Sequence, residues 1–299
     1  MIDKPDIYEA FYNLVKQIPE GYVSTYGDLA MQLGDIVASR AVGQMLSENE
    51  EPDTVPCYRV VMSDGRIGGY THPMGISEKI RRLKSDGIPI VKGKVENLEK
   101  VRFTEFKSDF PLKRYNEQVK RLDISKLDGV TESLRAIDVS YKGRVGVGVA
   151  VDFGKEITFE VSVKKVRAPY IPNYLYLREG EIVESLLSKD KLNAIDGNGA
   201  LHPLRRGLAT VTGANTGKPT VGIAKKLLMG QIKGQNVYVN GEMVARMYGK
   251  YIISYGFGVP LEKALQMLIN EGHFPQTIFA DRLSRRYRDL VLPVENSVR

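Results

Sequence analysis

The chain's 299 residues include a single cysteine, Cys57, within Val55-Pro56-Cys57-Tyr58-Arg59-Val60-Val61. A thiol is the most nucleophilic side chain near neutral pH once some of it is ionised. The nearby Arg59 could favour the thiolate. A lone cysteine is more often a small buried apolar residue in a short strand, so its surroundings must decide. Three acids stand out further along. Asp138 lies inside an apolar, β-branched run, Leu134 to Tyr141. Glu179 opens a helical pattern, and Asp196 closes a short apolar segment and enters Gly197-Asn198-Gly199. A carboxylate on a core strand is costly unless a cation or donor faces it. Two aspartates at strand ends and a glutamate on an adjoining helix could converge on one hard cation. Mg²⁺ favours such oxygen ligands, and a bound metal activates water and offsets charge on a phosphate. On spacing alone the plain alternative stays open, each acid capping a helix or pairing with a lysine.

The elements that must hold these groups follow from pattern. Ile7, Phe11, Leu14 and Val15 form one helical face, ended by Pro19-Glu20-Gly21. Thr25, with Asp28 three residues on, reads as a capping box for a short helix from Tyr26 to Leu33 that Gly34 stops. Ser39 caps another, Arg40 to about Ser47. Two short helices so joined suggest a helix-turn-helix or a plain helical hairpin. Ala41 and Gly43 leave the second helix's first turn bare, and Arg40 at its start could reach into a DNA stack. After the cysteine stretch come a Ser63–Arg66 turn, a glycine-rich loop to Pro73, and a helix from Ile76 to Leu83 closed by Asp86-Gly87. Residues 88–120 form a joint, polar around Val91–Glu96, with a strand or linker over Phe103–Phe110 and a helix from Pro111 to Leu122. Three antiparallel strands follow: Leu134–Tyr141, Val145–Val151 and Glu156–Val166, the last with Ile157, Phe159, Val161 and Val163 on one face. A helix from about Leu177 to Lys189 and short segments at Asn193–Asp196 and Pro219–Ala224 suggest added parallel strands. A meander followed by β-α units is the layout of the ribonuclease H-like fold.

Composition sets the frame. At this length, with 42% hydrophobic and 26% charged residues, the chain suits two globular domains of ordinary size. No apolar run approaches a membrane span, and the N-terminus lacks the features of a signal peptide. One cysteine with His72, His202 and His273 makes neither an internal disulfide nor a cysteine-rich zinc site. A reducing, cytoplasmic setting is the expectation. The net charge of +7 is uneven: residues 1–100 hold 12 Lys and Arg against 15 Asp and Glu, a net of −3, leaving +10 for the remainder. That excess points to a polyanionic partner for the second half.

Four separated motifs in the first half occur together: Tyr22-Val23-Ser24-Thr25-Tyr26-Gly27-Asp28-Leu29-Ala30, Ser39-Arg40-Ala41-Val42-Gly43, the Val55–Val61 stretch, and Asp64-Gly65 to Gly68-Gly69-Tyr70. Over roughly residues 5–90 they resemble the catalytic domain of O6-alkylguanine-DNA alkyltransferases. The resemblance implies flipping of an alkylated guanine from the duplex and irreversible transfer of its alkyl group to Cys57, without a cofactor. By position, Arg40 fills the gap, Tyr26 hydrogen-bonds the purine ring nitrogen, and Tyr70 lines the pocket. Thr71 stands where a serine faces O6, Asn49 is the hinge asparagine, and Asp86 replaces a glutamate. The histidine that usually follows the cysteine is Tyr58 here. Tyrosine ionises near pH ~10 against ~6.5 for histidine, so it is a poor general base at neutral pH. The expectation is a Tyr58 that donates to a thiolate or bridging water, and activation by local positive charge.

The second half carries Ile137-Asp138-Val139-Ser140-Tyr141, Pro169-Tyr170-Ile171-Pro172-Asn173-Tyr174, Arg178-Glu179-Gly180, Asp196-Gly197-Asn198-Gly199, His202-Pro203, Gly222-Ile223-Ala224-Lys225-Lys226 and Ala280-Asp281-Arg282-Leu283. Over about residues 105–290 these resemble endonuclease V, the deoxyinosine 3′ endonuclease. The resemblance implies Mg²⁺, or Mn²⁺ in its place, held by Asp138, Glu179 and Asp196. Asp281 is then a further acid, Lys225 a contact to the scissile phosphate, and Pro169-Tyr170-Ile171-Pro172 a wedge whose Tyr170 stacks in the vacated base position. Gly197 and Gly199 would let backbone approach hypoxanthine. Phe257 and Val211 stand where relatives often have histidines.

The expected protein is thus a fusion: residues 1–95 a mainly α, helix-turn-helix alkyltransferase domain, 96–110 a linker, and 111–299 an α/β ribonuclease H-like nuclease domain. It would act as a monomer on double-stranded DNA carrying alkylated guanine or deoxyinosine, with no membrane partner. Two alternatives stand beside this: a non-catalytic lesion sensor in the first half, and inosine in RNA as the substrate of the second.

Overall fold

Thr25 begins the element that the sequence marks most clearly. In the computed structural model, which describes residues 1–125, 133–270, 272 and 274–291, both halves of its capping box form, and Gly34 ends the helix in the left-handed region. Contacts divide the chain into two units. One is Lys4–Glu117 with Arg167–Pro172; the other is Met1–Asp3, Gln118–Val166 and Asn173–Arg299. The expected linker, 96–110, falls within the first.

That first unit opens with α1 (Ile7–Val15), whose predicted apolar face is buried together with Tyr8. Then come β1 (Ser24–Thr25), α2 (Tyr26–Leu33) and α3 (Ser39–Ser47). Ser39 does not cap α3, contrary to expectation. A 3-10 turn over Ile36–Ala38 runs straight into the helix, and Asp35 caps that turn by accepting from Val37 N–H at 3.0 Å. The Ser39 hydroxyl instead donates to Ile36 O. Cys57–Arg59 is a second 3-10 turn. It leads into β2 (Val60–Val61), which pairs in parallel with β1. α4 (Gly75–Ser85) ends at Asp86. The polar stretch without a clear period is a hairpin of β3 (Ile90–Val91) and β4 (Lys94–Val95), turned by Lys92 and Gly93, both at positive φ, as tight hairpins require. α5 (Leu98–Val101) follows, 103–110 has no regular structure, and α6 is Pro111–Lys120. Arg102 anchors the end of this run, donating from Nη2 and Nε to the two Asp28 oxygens at 2.7 and 3.0 Å.

The second unit is built on one mixed sheet of nine strands. The meander is present as β5 (Leu134–Lys142), β6 (Val145–Asp152) and β7 (Thr158–Lys165). α7 (Leu175–Leu186) leads to β8 (Leu192–Asp196), and α8 (Leu208–Thr216) to β9 (Thr220–Ala224). β8 lies parallel to both β5 and β9, as the apolar segments suggested. Four further antiparallel strands, β10 (Gln231–Lys233), β11 (Asn236–Val239), β12 (Glu242–Tyr248) and β13 (Tyr251–Phe257), extend the sheet, in the order β10-β11-β12-β13-β9-β8-β5-β6-β7. α9 (Leu261–Asn270) and α10 (Thr277–Val291) follow. Leu261, Leu265 and Leu268 of α9 pack on Leu134, Leu192 and Val221, while Phe279, Ala280 and Leu283 of α10 pack on Ala136, Val149 and Val151. The Val-Gly-Val-Gly rhythm of β6 has a packing cause. A Cβ on Gly148 would lie 2.3 Å from Ile182 and one on Gly146 2.5 Å from it, so the glycines let α7 close onto the sheet.

Candidate active sites

In the first unit, Cys57 is buried at a cavity of about 190 Å³ lined by Tyr26, Gly43, Tyr70, Thr71 and Lys79 among others. The 3-10 turn aims the thiol. Asn49, nine residues after Arg40, donates from Nδ2 to Cys57 Sγ at 3.3 Å and to Val55 O at 3.1 Å, joining the end of α3 to the cysteine turn. Burial and the neighbouring Cys57 both push the Tyr26 hydroxyl above its usual range, so it stays a phenol and a donor. Burial likewise raises Tyr70, whose hydroxyl has no hydrogen-bond partner. His72 stacks on the Tyr70 ring at 5.7 Å. Arg40 is exposed at the first turn of α3.

The residue after the cysteine does not face it with its hydroxyl. Tyr58 Oη donates to Asp86 at 3.1 Å, and the Arg59 and Arg82 guanidinium groups lie 5.2 and 5.6 Å from its ring centroid. Burial raises Tyr58 above its ordinary value, with Asp86 adding to the rise against Arg59. Arg59 is also turned away. Its Nε donates to Asp86 at 2.6 Å and its Nη1 to Ile18 O at 2.9 Å. The expected donation to the thiolate, and the expected help from Arg59, are both replaced by a closed Tyr58–Asp86–Arg59 cluster, because a carboxylate satisfies both groups better than a thiol can. The positive group beside Cys57 is Lys79, which sequence reasoning missed. It is 1% exposed, donates to Val60 O at 2.6 Å and Gly69 O at 3.2 Å, and shares the cavity. Burial lowers it from 10.5 to about 8, while Cys57 holds it up. The available signal was its place four residues before the buried Leu83 on α4, a lysine on an apolar face.

In the second unit, two charged residues of β5 make a useful contrast. Arg135 is buried but fully partnered: it pairs with both Asp152 oxygens at 2.8 and 2.6 Å, with Glu160, and with Leu186 O. Asp138, equally buried, accepts from Ser284 Oγ at 2.7 Å, its one hydrogen-bond donor among the described residues. Burial raises its carboxyl to about 7, against Ser284, with Asp196 and Asp281 pushing the same way and Lys225 opposing. Burial raises Glu179 to about 8, with Asp138 and Asp196 adding to it and Tyr141 and Arg178 opposing. Lys225 Nζ lies 2.8 Å from Asp196 Oδ2, and Asp281 pairs with Arg285 at 3.0 Å. The strands β5, β8 and β9, helix α7 and helix α10 therefore bring all five predicted residues into one electrostatic neighbourhood. Among the described residues, no three Asp, Glu, His or Cys side chains already close around one point. The donor set nonetheless fits a divalent cation in kind: hard oxygens, two of them buried, in mutual repulsion. Ser284 was not foreseen; its place three residues after Asp281, on one helix face, was the signal.

Gly197 and Gly199 hold the loop after Asp196, where Gly199 N–H donates to Ser254 Oγ at 2.7 Å. Tyr170 is 56% exposed between the buried Pro169 and Ile171, with Pro172 half-buried. Phe257 and Val211, at the two histidine positions, are core residues. His273 lies outside the described residues.

These features place a cavity thiol in one unit and a cluster of carboxylates in the other, and comparison with known proteins assigns a family to each region. The family model for the 6-O-methylguanine DNA methyltransferase DNA-binding domain matches residues 6–88, and that for endonuclease V matches residues 113–279. The bifunctional methyltransferase/endonuclease of Picrophilus torridus is 44% identical over 281 residues, covering 91% of this chain and 93% of the relative. Its namesake from Thermoplasma volcanium is 44% identical over 268 residues, covering 88% and 84%. The crystal structure of Ciona intestinalis endonuclease V, in complex with a 24mer DNA containing an inosine followed by a ribo-adenosine, matches with a TM-score of 0.52 at 22% identity, covering 62% of this chain and 100% of that one. The chain belongs to the bifunctional methyltransferase/endonuclease family: an N-terminal alkyltransferase-like domain and a C-terminal domain with the endonuclease V fold, built on a large mixed sheet. No helix among the described residues is long and apolar enough to cross a membrane.

Proposed function

We propose that this protein repairs two kinds of base damage in double-stranded DNA, acting as a monomer. Residues 1–95, with α2 and α3 as a helix-turn-helix, would take the alkyl group from O6-alkylguanine. Arg40 fills the space of the flipped nucleotide, and Tyr70 and Thr71 line the base pocket. The Cys57 thiolate attacks the alkyl carbon, the carbon–O6 bond breaks, and the electron pair leaves on the guanine while Tyr26 donates to its ring nitrogen. Asn49 holds the sulfur in place. Lys79, not Tyr58, favours the thiolate, and Asp86 keeps Tyr58 and Arg59 fixed. The observation that supports this reading most is the burial of the only thiol in a base-sized cavity beside a buried lysine.

Residues 111–299, joined through 96–110, would form a ribonuclease H-like domain that cleaves the second phosphodiester bond 3′ to deoxyinosine. Asp138, Glu179 and Asp196 would hold Mg²⁺ or Mn²⁺, which when bound would activate water and offset phosphate charge. Asp281 adds to the negative field, Lys225 contacts the scissile phosphate, and Tyr170 with Pro169, Ile171 and Pro172 wedges the strand. The buried Asp138, with Asp196 and Asp281 close enough to raise its carboxyl and only a hydroxyl donating to it in the described residues, supports this reading.

The test is a duplex carrying both O6-methylguanine and deoxyinosine. Cys57→Ala should abolish methyl transfer and leave nicking intact, and Asp138→Ala should do the reverse. Mass spectrometry of the Cys57 peptide reads the first activity and strand length the second. Absence of a methylated Cys57 peptide in the wild type would sink the transferase reading. Nicking of inosine RNA in preference to deoxyinosine DNA would sink the DNA assignment.

A further inference from the structure

The nine-stranded sheet ends on one side in β12, β11 and β10, and no residue of either site described above lies on these strands. Their two faces differ. Val237 and Val239 point inward and pack with Ala200, Leu201, Val244 and Ile252. The register sets Gln231 beside Tyr238 and Lys233 beside Asn236 on the opposite face. There a cavity of about 490 Å³ is lined by Met229, Gln231, Lys233, Tyr238 and Asn240 among others. It has more than twice the volume of the cavity at Cys57, about 190 Å³. If a base fits the first, a whole nucleotide fits this one. The surrounding charge is one-sided. From Lys225 to Lys250 there are five Lys and Arg against one acid, Glu242. Glu242 is paired with Arg205, Arg246 with Glu262, and Lys225 with Asp196. Lys226, Lys233 and Lys250 are exposed, and none of them is in an ion pair with a carboxylate among the described residues.

The lining supplies what an unpaired nucleotide needs: a tyrosine ring for the face of its base, an ammonium for its phosphate, and side-chain amides for its edges. Lys233 Nζ lies 5.6 Å from the Tyr238 ring centroid, an exposed contact weak enough to yield to a phosphate. A paired duplex would offer this face only its backbone, because its bases are stacked on one another. An acidic peptide would use the lysines and leave the ring idle. Only an unpaired strand uses both. We infer that this face is a binding platform for unpaired DNA. Tyr238 stacks one base, Lys233 pairs with a neighbouring phosphate, and Lys226 and Lys250 add to the attracting field. DNA rather than RNA is the strand because the same chain carries a region of the methylguanine DNA methyltransferase type. Met229, at the cavity wall, is four residues beyond Lys225, at most about 14 Å of extended chain. The bound segment is therefore the strand loosened next to the nick. That last step rests on the nuclease reading above; the binding itself does not.

The probe is a fluorescein-labelled oligothymidine of about ten nucleotides, within the usual footprint of such platforms. Its binding to the full-length protein is followed by anisotropy, without divalent metal, between about 50 and 200 mM salt. Tyr238→Ala should weaken binding by about ten-fold or more, the loss of one stacked base. Tyr238→Phe keeps the ring and should bind within about two-fold of the wild type. Lys233→Gln should lower the slope of log K against log salt by about 0.7, one phosphate contact on a single strand. Lys233 is exposed, so its variant tests the platform even where Tyr238→Ala is destabilised. Four results overturn the proposal: a wild type that does not bind the oligomer, a Tyr238→Ala that binds as well as the wild type, a Tyr238→Phe that loses as much as Tyr238→Ala, or an unchanged slope in Lys233→Gln. Tighter binding of an oligouridine of the same length overturns the DNA assignment. With no lesion and no metal present, a failure of deoxyinosine nicking leaves this result standing, and a failure here leaves nicking of the duplex standing.

Discussion

Replacing Lys79 with methionine separates the charge at the alkyl-transfer site from its shape. The lysine is 1% exposed, and burial lowers it from 10.5 to about 8. At 1.36 kcal/mol per unit, burying its charge costs about 3 kcal/mol. The sign follows from proton counts. Between pH 8 and 10.5 the unfolded lysine is protonated and the folded one is not, so stability of this domain rises with pH through that window. Below about pH 8 the penalty is present in full. Methionine removes the penalty but leaves the carbonyls of Val60 and Gly69 without this donor, at about 1–3 kcal/mol each, so net stability should change little. Reactivity should change more. Opposite unit charges close to contact, about 4 Å apart, attract by about 4 kcal/mol at an effective dielectric of about 20, and by less as they separate. Loss of an ammonium beside the thiolate should therefore slow single-turnover methyl transfer at pH 7 by about ten- to hundred-fold. The deficit should shrink as pH rises past about 8, where the wild-type lysine itself loses its proton. Rates on an O6-methylguanine duplex from pH 5.5 to 10 provide the test. The wild-type profile should show no step near pH 6.5, since Tyr58 is held as a phenol by burial and Asp86. Equal rates for Lys79→Met and wild type at pH 7, or a deficit constant across the whole range, would refute the charge argument.

Gly222→Ala should lower nicking at least ten-fold, because its Cβ would meet backbone atoms of the Gly197–Gly199 loop after Asp196, which cannot swing aside. Thermal unfolding should show a loss of about 1–3 kcal/mol, while methyl transfer is unchanged. Arg102→Ala should destabilise the alkyltransferase-like domain by about 1–3 kcal/mol by breaking its two bonds to Asp28. Burial pushes Asp28 up, but Arg102 and Thr25 outweigh it and hold the carboxyl below its usual value. Its contribution is therefore present at neutral pH and lost as pH falls through that lowered value. Urea unfolding at pH 7 and pH 3 should show a gap between variant and wild type that narrows in acid; a gap that widens would contradict it.

The sequence resolved local signals well and long-range ones poorly. The Thr25–Asp28 box, the Gly34 stop and the β5–β7 meander are written within windows of a few residues, and each formed. The Ser39 cap did not, because the 3-10 turn ahead of α3 moved the role to Asp35, four residues earlier. The pairing of Arg102 with Asp28 spans 74 positions, and no periodicity announces it. Ser284 and Lys79 were visible in principle as polar residues on faces otherwise committed to packing. The discriminating fact at β5 was likewise not composition. Arg135 and Asp138 are both charged residues in one apolar strand, and only the partners that the fold brings to each distinguish them: a full set of acceptors for Arg135, and for Asp138 a hydroxyl beside two further acids.

Two of the three positions where relatives often have histidines, Tyr58 and Phe257, carry this point into mechanism. Both departures are equally legible in the sequence, yet their consequences differ. Tyr58 keeps a polar role: its hydroxyl lies 3.1 Å from Asp86, so the carboxylate still holds the residue after the cysteine, but as a brace that cannot take a proton near pH 7. Phe257 is 3% exposed and offers no polar atom, so under the proposed function proton handling in the nuclease site falls to the carboxylates and Lys225. On that reading the alkyltransferase-like site has a buried ammonium beside the sulfur in place of a histidine base, and the nuclease site has a phenylalanine where relatives often have an imidazole, with carboxylates in excess. A methyl-transfer profile without a histidine step and a nicking profile governed by carboxylates are the joint signature of that arrangement.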